Sequence, residues 1–118
     1  MIFFDCAESD EYHRIESVMG DTIVMSCKTA RSSGAAEWTR NTTDGDFSHV
    51  YTNGSIRGYL NIMLQYSVVN PDAGDYSLKI YNVHPTDSGL YGCFDTDGTR
   101  LAGYYLVAEG LFLDVRKI

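Results

Sequence analysis

The side chains with the widest choice of chemistry in this 118-residue chain are its three cysteines, Cys6, Cys27 and Cys93. A thiol can act as a nucleophile, hold a metal ion or form a disulfide. Because three is an odd number, at least one of these cysteines has no partner within the chain. Disulfides persist in an oxidising compartment, so other sequence signs of secretion help to decide whether the thiols are paired.

None of the reactive side chains forms a recognisable catalytic arrangement. The three histidines, His13, His49 and His84, lie on separate predicted elements, and no serine or cysteine accompanies one of them in a nucleophile pattern. Acidic turns recur at 44–46, 72–75 and 95–97, but none has the glycine and distal glutamate of a calcium loop. We therefore predict no enzyme, no metal ion and no cofactor, and interpret the turn carboxylates as solvated groups.

Two asparagines carry the pattern for N-linked glycosylation, in Asn41-Thr42-Thr43 and Asn53-Gly54-Ser55. Each pattern alone is weak evidence, because such short motifs arise often by chance. Together with a pair of cysteines they favour an oxidising, secretory context. We expect an extracellular protein, at the cell surface or secreted, and an ectodomain fragment of a single-pass membrane protein.

The charge balance narrows the classes of partner. Nine Lys and Arg against 16 Asp and Glu give a formal net charge of −7, which disfavours nucleic acid and anionic membrane surfaces. The sequence contains no run of about 18 apolar residues that could span a membrane, and no signal peptide pattern opens it. The remaining class of partner is another protein.

Short runs of period-two alternation predict an all-β protein. Gly20-Asp21 separates the first two runs, a turn cluster at 70–75 precedes another, and residues 60–69 form a further apolar run. The inward members of the alternating runs are predicted to be Ile15, Ile23, Met25, Cys27, Tyr76, Leu78 and Ile80. The outward residues of the run that contains Val24 are otherwise polar, so the apolar Val24 is an exception.

Two dipeptides predict tight hairpins. Asn53-Gly54 lies between short apolar runs and suits a two-residue turn whose central residues need positive φ. Asp97-Gly98 is predicted to form a second two-residue turn. Its strands would then be paired as Thr96–Thr99, Phe94–Leu101, Gly92–Gly103 and Leu90–Tyr105.

One motif relates these strands to a known family. The stretch from Asp87 to Cys93 has the form Asp-x-Gly-x-Tyr-x-Cys; Cys27 lies 66 residues before Cys93, and Trp38 follows Cys27 by 11. This set resembles the variable-type (V-set) domains of the immunoglobulin superfamily. The resemblance implies a disulfide between Cys27 and Cys93, packed against Trp38, and a hydrogen bond from Tyr91 at a strand corner. The alternative is a reduced, buried cysteine pair, as in intracellular domains of this fold.

The implied fold is a V-type β-sandwich, with two antiparallel sheets, Greek-key connections and one inter-sheet disulfide. The 66-residue spacing is generous for seven strands and suits the nine-strand form. We expect a single domain over 1–118, with its core over about 12–109. Residues 1–11 would be an N-terminal strand or extension, and 110–118 the end of the last strand or a linker. Its structural core would include Trp38, Asp87, Gly89 and Tyr91.

The sequence departs from antigen-receptor domains at two places. The last strand has Leu101-Ala102-Gly103-Tyr104-Tyr105 in place of Phe-Gly-x-Gly. The arginine that pairs with the aspartate of the motif in variable domains aligns with Leu64. Asp87 is therefore expected to pair with Arg57, or to form hydrogen bonds only with backbone and water. The hairpin that forms the long third loop of antibodies is nearly a bare turn here, so binding is expected through a sheet face.

Parity along the two last strands predicts an outward apolar patch. Since Tyr91 and Cys93 face the core, their neighbours face out, and paired glycines would leave a low surface that another backbone can approach. Exposed apolar patches mark interfaces. The predicted interface residues are Phe94, Leu101, Gly92, Gly103, Tyr105 and Leu90. Coverage by an adjacent domain or by residues 111–118 is the alternative, and a glycan on Asn41 would screen part of the sheet.

The resemblance and the patch together predict a cell-surface recognition or adhesion module. It would be the N-terminal domain of a receptor or adhesion protein, binding another immunoglobulin-like domain, homophilic or heterophilic, through its C-F-G sheet face. The alternatives are an auxiliary subunit of a membrane channel or receptor, and a structural module of a multidomain chain. Cys6 bears on this choice: it is either an unpaired thiol whose partner lies in a missing segment or half of a disulfide to another chain.

Overall fold

Nine strands build the part of the chain that the computed structural model describes, which is residues 12–29, 36–52, 54–58 and 65–110. The strands are β1 His13–Val18, β2 Ile23–Met25, β3 Glu37–Thr42, β4 Phe47–Thr52, β5 Ser55–Ile56, β6 Tyr66–Asn70, β7 Asp75–Ile80, β8 Gly89–Phe94 and β9 Arg100–Glu109. Two single 3-10 turns, Pro71–Ala73 and Pro85–Asp87, precede β7 and β8. No helix in these ranges is long and apolar enough to cross a membrane.

The strands form two sheets, one of six strands in the order β1-β9-β8-β3-β4-β5 and one of three in the order β2-β7-β6. This confirms the predicted two-sheet sandwich. One strand pair differs from the expected antiparallel pattern, because β1 runs parallel to β9, with His13 beside Tyr104. Parallel neighbours need a long connection, and here most of the domain lies between these two strands in sequence.

The core lies between the two sheets and joins them by a covalent bond and a hydrogen bond. Cys27, just after β2, forms the predicted disulfide with Cys93 on β8. Trp38 on β3 is fully buried, and its indole N–H donates to the carbonyl oxygen of Tyr76 on β7 at 2.6 Å. The inward residues that alternation predicted on β2 and β7 lie in this core, with Met25, Tyr76, Leu78 and Ile80 completely buried.

The connection between β4 and β5 has the predicted length. Thr52 pairs with Ser55, which leaves two residues in the loop, and Gly54 has a φ of +81°. Asn53 itself lies outside the described residues, as do residues 60–64, the first half of the 60–69 run; β6 covers the end of that run. On β4 the register shifts opposite Trp38 and Thr39, which leaves Val50 as an extra residue and buries both Val50 and Tyr51.

The hairpin between β8 and β9 differs from the predicted two-residue turn. The Gly98 N–H donates to the Asp95 carbonyl at 3.0 Å, and the Asp95 N–H donates to the Thr99 carbonyl at 2.8 Å. The turn between Asp95 and Thr99 therefore has three residues, 96–98. Gly98 is in the left-handed region at φ +87°, where glycine avoids a steric penalty. A register shift next to Cys93 absorbs the added residue.

The pairing predicted for this hairpin is thus correct at its base and wrong at its tip. Gly92 lies opposite Gly103 and Leu90 opposite Tyr105, as expected. Phe94, however, lies opposite Arg100 and not Leu101. The predicted pair Thr96–Thr99 is also absent, because the Asp95 N–H bonds to Thr99.

Gly89 should be the glycine that tolerates substitution least. Its φ is +148°, and a Cβ there would overlap the backbone oxygen of Asn41 and lie 2.6 Å from the Cα of Thr42. We expect Gly89→Ala to lower the free energy of unfolding by more than about 3 kcal/mol, because backbone strain of roughly 1–3 kcal/mol adds to the displacement of a paired strand. Urea unfolding measures this.

Gly98→Ala is the matched control for that measurement. Gly98 also has positive φ, but nothing lies within 4 Å of its added Cβ. Its cost should be the strain alone, about 1–2 kcal/mol. Equal losses for the two variants would show that the contact with β3 does not matter.

Candidate functional site

The outer surface of the six-stranded sheet is the candidate functional site, and strand parity decides which side chains form it. On β3, Trp38, Arg40 and Thr42 are buried, so the residues between them point outward. On β8, Tyr91 and Cys93 are completely buried. We call this surface the front face, and its central residues are Glu37, Thr39, Asn41, Phe47, His49, Leu90, Gly92, Phe94, Gly103 and Tyr105.

One line of directly paired residues crosses the front face from β9 to β4. Tyr105 lies opposite Leu90, Leu90 opposite Asn41, and Asn41 opposite Phe47. Its three apolar members are exposed: Tyr105 by 37%, Leu90 by 39% and Phe47 by 59%. With strands about 4.8 Å apart, the line is about 14 Å long. We call these four residues the apolar row.

The neighbouring line is lower and more polar. It runs from Gly103 through Gly92 and Thr39 to His49. The predicted flat surface over the paired glycines is partly filled, because the Phe94 ring bends over Gly92: a Cβ added there would lie 2.7 Å from the ring. Phe94 is therefore half-buried, although parity places it on the outward side.

The remaining residue of the predicted patch, Leu101, lies near the hairpin end of β9. Leu101 is 37% exposed and occupies the register shift beside Phe94. Arg100, opposite Phe94, stacks over the ring of Tyr12 at 4.2 Å. Cys6 and residues 111–118 lie outside the described residues, so the structure describes neither the thiol nor a segment covering the patch.

Charged groups border the apolar row at both ends. On β1, Arg14 lies over the Tyr105 ring at 5.5 Å and forms an ion pair with Glu16 at 2.7 Å. On the β4 side, His49 contacts Phe47 edge to face at 5.6 Å, and its Nδ1 is 3.9 Å from the Glu37 carboxylate. An apolar centre with a polar, charged border is the usual anatomy of a protein interface.

A buried arginine lies directly beneath this surface. Arg40 on β3 is 8% exposed, and its Nη1 donates to the Tyr66 hydroxyl at 2.6 Å and lies 3.6 Å from Asp87 Oδ1. The Tyr66 hydroxyl in turn donates to Asp87 Oδ1 at 3.1 Å. Removing a guanidinium and a carboxylate from water is costly unless both are paired and hydrogen-bonded. This network satisfies both groups.

The prediction that Asp87 pairs with Arg57, or only with backbone and water, is therefore wrong. Arg57 is exposed and follows β5, three strand positions from β8, or about 14 Å. Arg40 points inward because it shares the parity of Trp38, and it takes the place of the arginine that the sequence lacks at Leu64. The second carboxylate oxygen of Asp87 accepts from Gln65 Nε2 and from the backbone N–H of His84, both at 2.8 Å.

The network also joins the corner before β8 to the turn before β4. The Tyr91 hydroxyl donates to the Asp87 carbonyl oxygen at 2.6 Å, the strand-corner bond that the resemblance implied. Arg40 Nε donates to Ser48 Oγ at 3.2 Å, and its Nη2 lies 3.4 Å from Asp46. One guanidinium therefore bonds to the β6 edge and to the turn between β3 and β4.

Burial changes the acidity of the two tyrosines in this network. Desolvation, followed by the nearby charge of Asp87, raises the pKa of Tyr66 to about 12. Desolvation is also the largest cause that raises the pKa of Tyr91, with Tyr66 next. Both hydroxyls thus stay protonated as hydrogen-bond donors over the physiological range.

Phe47 and Arg40 were not predicted from the sequence as site residues, although strand parity indicates the side of the sheet on which each lies. An inward Trp38 makes Arg40 inward as well, and an inward charge on a strand demands a partner. Phe47 lies two residues before His49 on the same strand, so both side chains point outward. Within the described ranges, no group of three or more His, Cys, Asp or Glu residues could hold a metal ion.

Comparisons with known proteins agree with this architecture. A family model described as "Immunoglobulin V-set domain" matches residues 11–104. The first immunoglobulin domain of the mouse polymeric immunoglobulin receptor is similar in structure, with a TM-score of 0.65 and 17% identity, covering 85% of this chain and 92% of that one. A structure titled "Tim-1" has a TM-score of 0.64 at 21% identity, covering 85% and 94%.

A third similar structure is an extracellular fragment of novel immune-type receptor 11, with a TM-score of 0.63 and 19% identity. It covers 81% of this chain and 96% of that chain. At such identities these likenesses concern the fold.

Arg40→Met should destabilise the protein far more than the same change at an exposed arginine. It leaves the Asp87 carboxylate buried without its cation, so we expect the free energy of unfolding to fall by about 3–5 kcal/mol. Arg14→Met removes only an exposed ion pair that solvent screens, so it should change the stability little. Urea denaturation of the two variants makes the comparison, and similar losses would contradict a structural role for the Arg40 network.

The stability of the protein should fall as the pH rises above about 10. A raised pKa means that folded Tyr66 keeps a proton that the unfolded chain releases between pH 10 and about 12. Its contribution is thus complete below pH 10 and is lost as the pH rises through that window. In Tyr66→Phe the free energy of unfolding should fall less steeply over this range, as measured by urea unfolding at pH 8 to 11.

Tyr81→Phe is the control for that pH series. The pKa of the exposed Tyr81 is lowered, and the largest cause is a hydrogen bond with Ser67. Removing Tyr81 should therefore leave the alkaline loss of stability unchanged or slightly steeper. A shallower loss in this variant than in Tyr66→Phe would contradict the assignment to the buried hydroxyl.

Proposed function

The chain belongs to the immunoglobulin V-set family, and on that premise we propose that it is a cell-surface recognition module that binds another immunoglobulin-like domain through its front face. V-set domains are commonly non-enzymatic recognition modules and are typically extracellular, and the disulfide between Cys27 and Cys93 suits an oxidising compartment. The partner is a second copy of this domain or a related one.

The observation that carries the proposal is the apolar row. Tyr105, Leu90 and Phe47 are exposed in register on a sheet whose outward positions would otherwise be polar. Large apolar and aromatic side chains at the centre of an interface supply most of its binding energy, while a polar border excludes water. The ion pair Arg14–Glu16 and the polar side chains of Glu37 and His49 supply such a border.

The form of the hairpin between β8 and β9 favours a sheet face over loop tips. Only three residues lie between the hydrogen-bonded Asp95 and Thr99 that close the hairpin, so no long loop projects there to enter a cleft on a partner. A sheet surface with a half-buried Phe94 and two central glycines is low and broad. Another sheet face is the shape that fits it best.

Sedimentation of the domain tests this binding. We propose refolding it from bacterial expression, which leaves the asparagines unmodified, and measuring a concentration series with Cys6→Ser in every sample to remove thiol-linked dimers. Leu90→Arg places a charge in the middle of the apolar row and should abolish the concentration-dependent dimer. Leu90 is 39% exposed, so its replacement should change stability little.

Val24→Arg is the matched control, since Val24 is an apolar strand residue, 51% exposed, on the three-stranded sheet. It should leave the dimer intact. Equal loss in both variants would contradict binding by the front face. A monomer at every concentration would overturn the homophilic form of the proposal and direct the same pair of variants to binding assays with related domains.

A further inference from the structure

The centre of the apolar row is occupied by a glycosylation acceptor. Asn41 is exposed, one residue before the end of β3, and it lies directly between Leu90 on β8 and Phe47 on β4. Directly opposite residues on neighbouring strands have Cβ atoms about 4.5–5.5 Å apart. A group attached to the Asn41 amide therefore lies against one or both of these apolar side chains.

The pattern Asn41-Thr42-Thr43 is complete on the surface. Asn41 and Thr43 are both exposed, while Thr42 between them is buried and bonds to Asp44. The buried Thr42 holds this part of β3 in place and so aims Asn41 away from the core. The amide is thus presented at the middle of the front face and not at a loop tip remote from it.

We infer that an N-linked glycan on Asn41 is the resident cover of the apolar row, and that its occupancy decides whether the front face can bind a partner. In the modification, the Asn41 amide nitrogen bonds to the anomeric carbon of a lipid-pyrophosphate-linked oligosaccharide. The bond from that carbon to the pyrophosphate oxygen breaks, the lipid pyrophosphate leaves, and the amide gives up one proton.

Cover and binding exclude each other for a physical reason. The centre of a protein interface packs as densely as a protein interior, so it has no room for a carbohydrate chain at the middle of the row. A glycan is bulky and solubilising, and it would replace water over Leu90 and Phe47. The inference rests on the proposed function for the identity of the site, and it adds the regulation of that site.

Two variants of Thr43 separate modification from other effects. Thr43→Ala destroys the acceptor pattern but leaves Asn41 in the row, and Thr43→Ser keeps the pattern. Thr43 is exposed in the turn after β3, so neither change should alter the fold. The chain is secreted from mammalian cells behind a cleavable signal peptide, and occupancy of Asn41 is measured by peptide mass spectrometry after enzymatic removal of the glycan.

The readout of the cover needs no partner. Fluorescence of the apolar dye ANS should be low in wild type and in Thr43→Ser, and several-fold higher in Thr43→Ala, since the dye reports exposed apolar surface. Adding Leu90→Arg to Thr43→Ala should return the fluorescence to the wild-type level. Of wild type, Thr43→Ser and Thr43→Ala, only Thr43→Ala should self-associate in sedimentation.

The outcomes distinguish the two proposals. An unmodified Asn41 in the secreted wild type, or unchanged dye fluorescence in Thr43→Ala, would overturn the cover and leave front-face binding by the refolded domain standing. Raised fluorescence without self-association would support the cover and count against homophilic recognition.

Discussion

A guanidinium on the core side of β3 is the constraint around which much of this structure is arranged. Arg40 shares the inward side of its strand with Trp38, so a full positive charge enters the space between the sheets. A buried charge persists only with partners, and Asp87 and Tyr66 supply them. The corner that Tyr91 closes onto Asp87 is therefore part of the same electrostatic unit. One requirement thus brings together β3, β6 and the start of β8.

The same strand connects the core with the surface proposed for recognition. Arg40 points into the core and Asn41, the next residue, points out of it. The turn that Arg40 holds through Asp46 leads directly into Phe47, the most exposed of the three apolar residues in the apolar row. Loss of the Arg40 contact with Asp46 would therefore release the residue next to Phe47, although Arg40 lies on the opposite side of the sheet.

Backbone geometry sets the shape of the front face as much as its side chains do. Gly89 allows the start of β8 to lie against β3, where any Cβ would overlap the Asn41 backbone. Gly92 leaves the space that the Phe94 ring fills. Gly98 shapes the short hairpin that keeps long loops away from the face. The centre of the front face is low because Gly92 and Gly103 stand opposite each other where side chains would otherwise project.

From the sequence alone, period-two alternation predicted the strand pattern, while the sandwich and the Cys27–Cys93 disulfide followed from the resemblance to the V-set family. The predicted pairing of Leu90 with Tyr105 is also correct, because the extra residue Leu101 offsets the longer turn. Only the tertiary structure decided the partner of Asp87 and the three-residue turn ending at Gly98. The position of Asn41 between Leu90 and Phe47 also needed the fold. Alternation assigns a side chain to a face, but which strands become neighbours, and where a bulge shifts their register, depends on contacts between residues far apart in the chain.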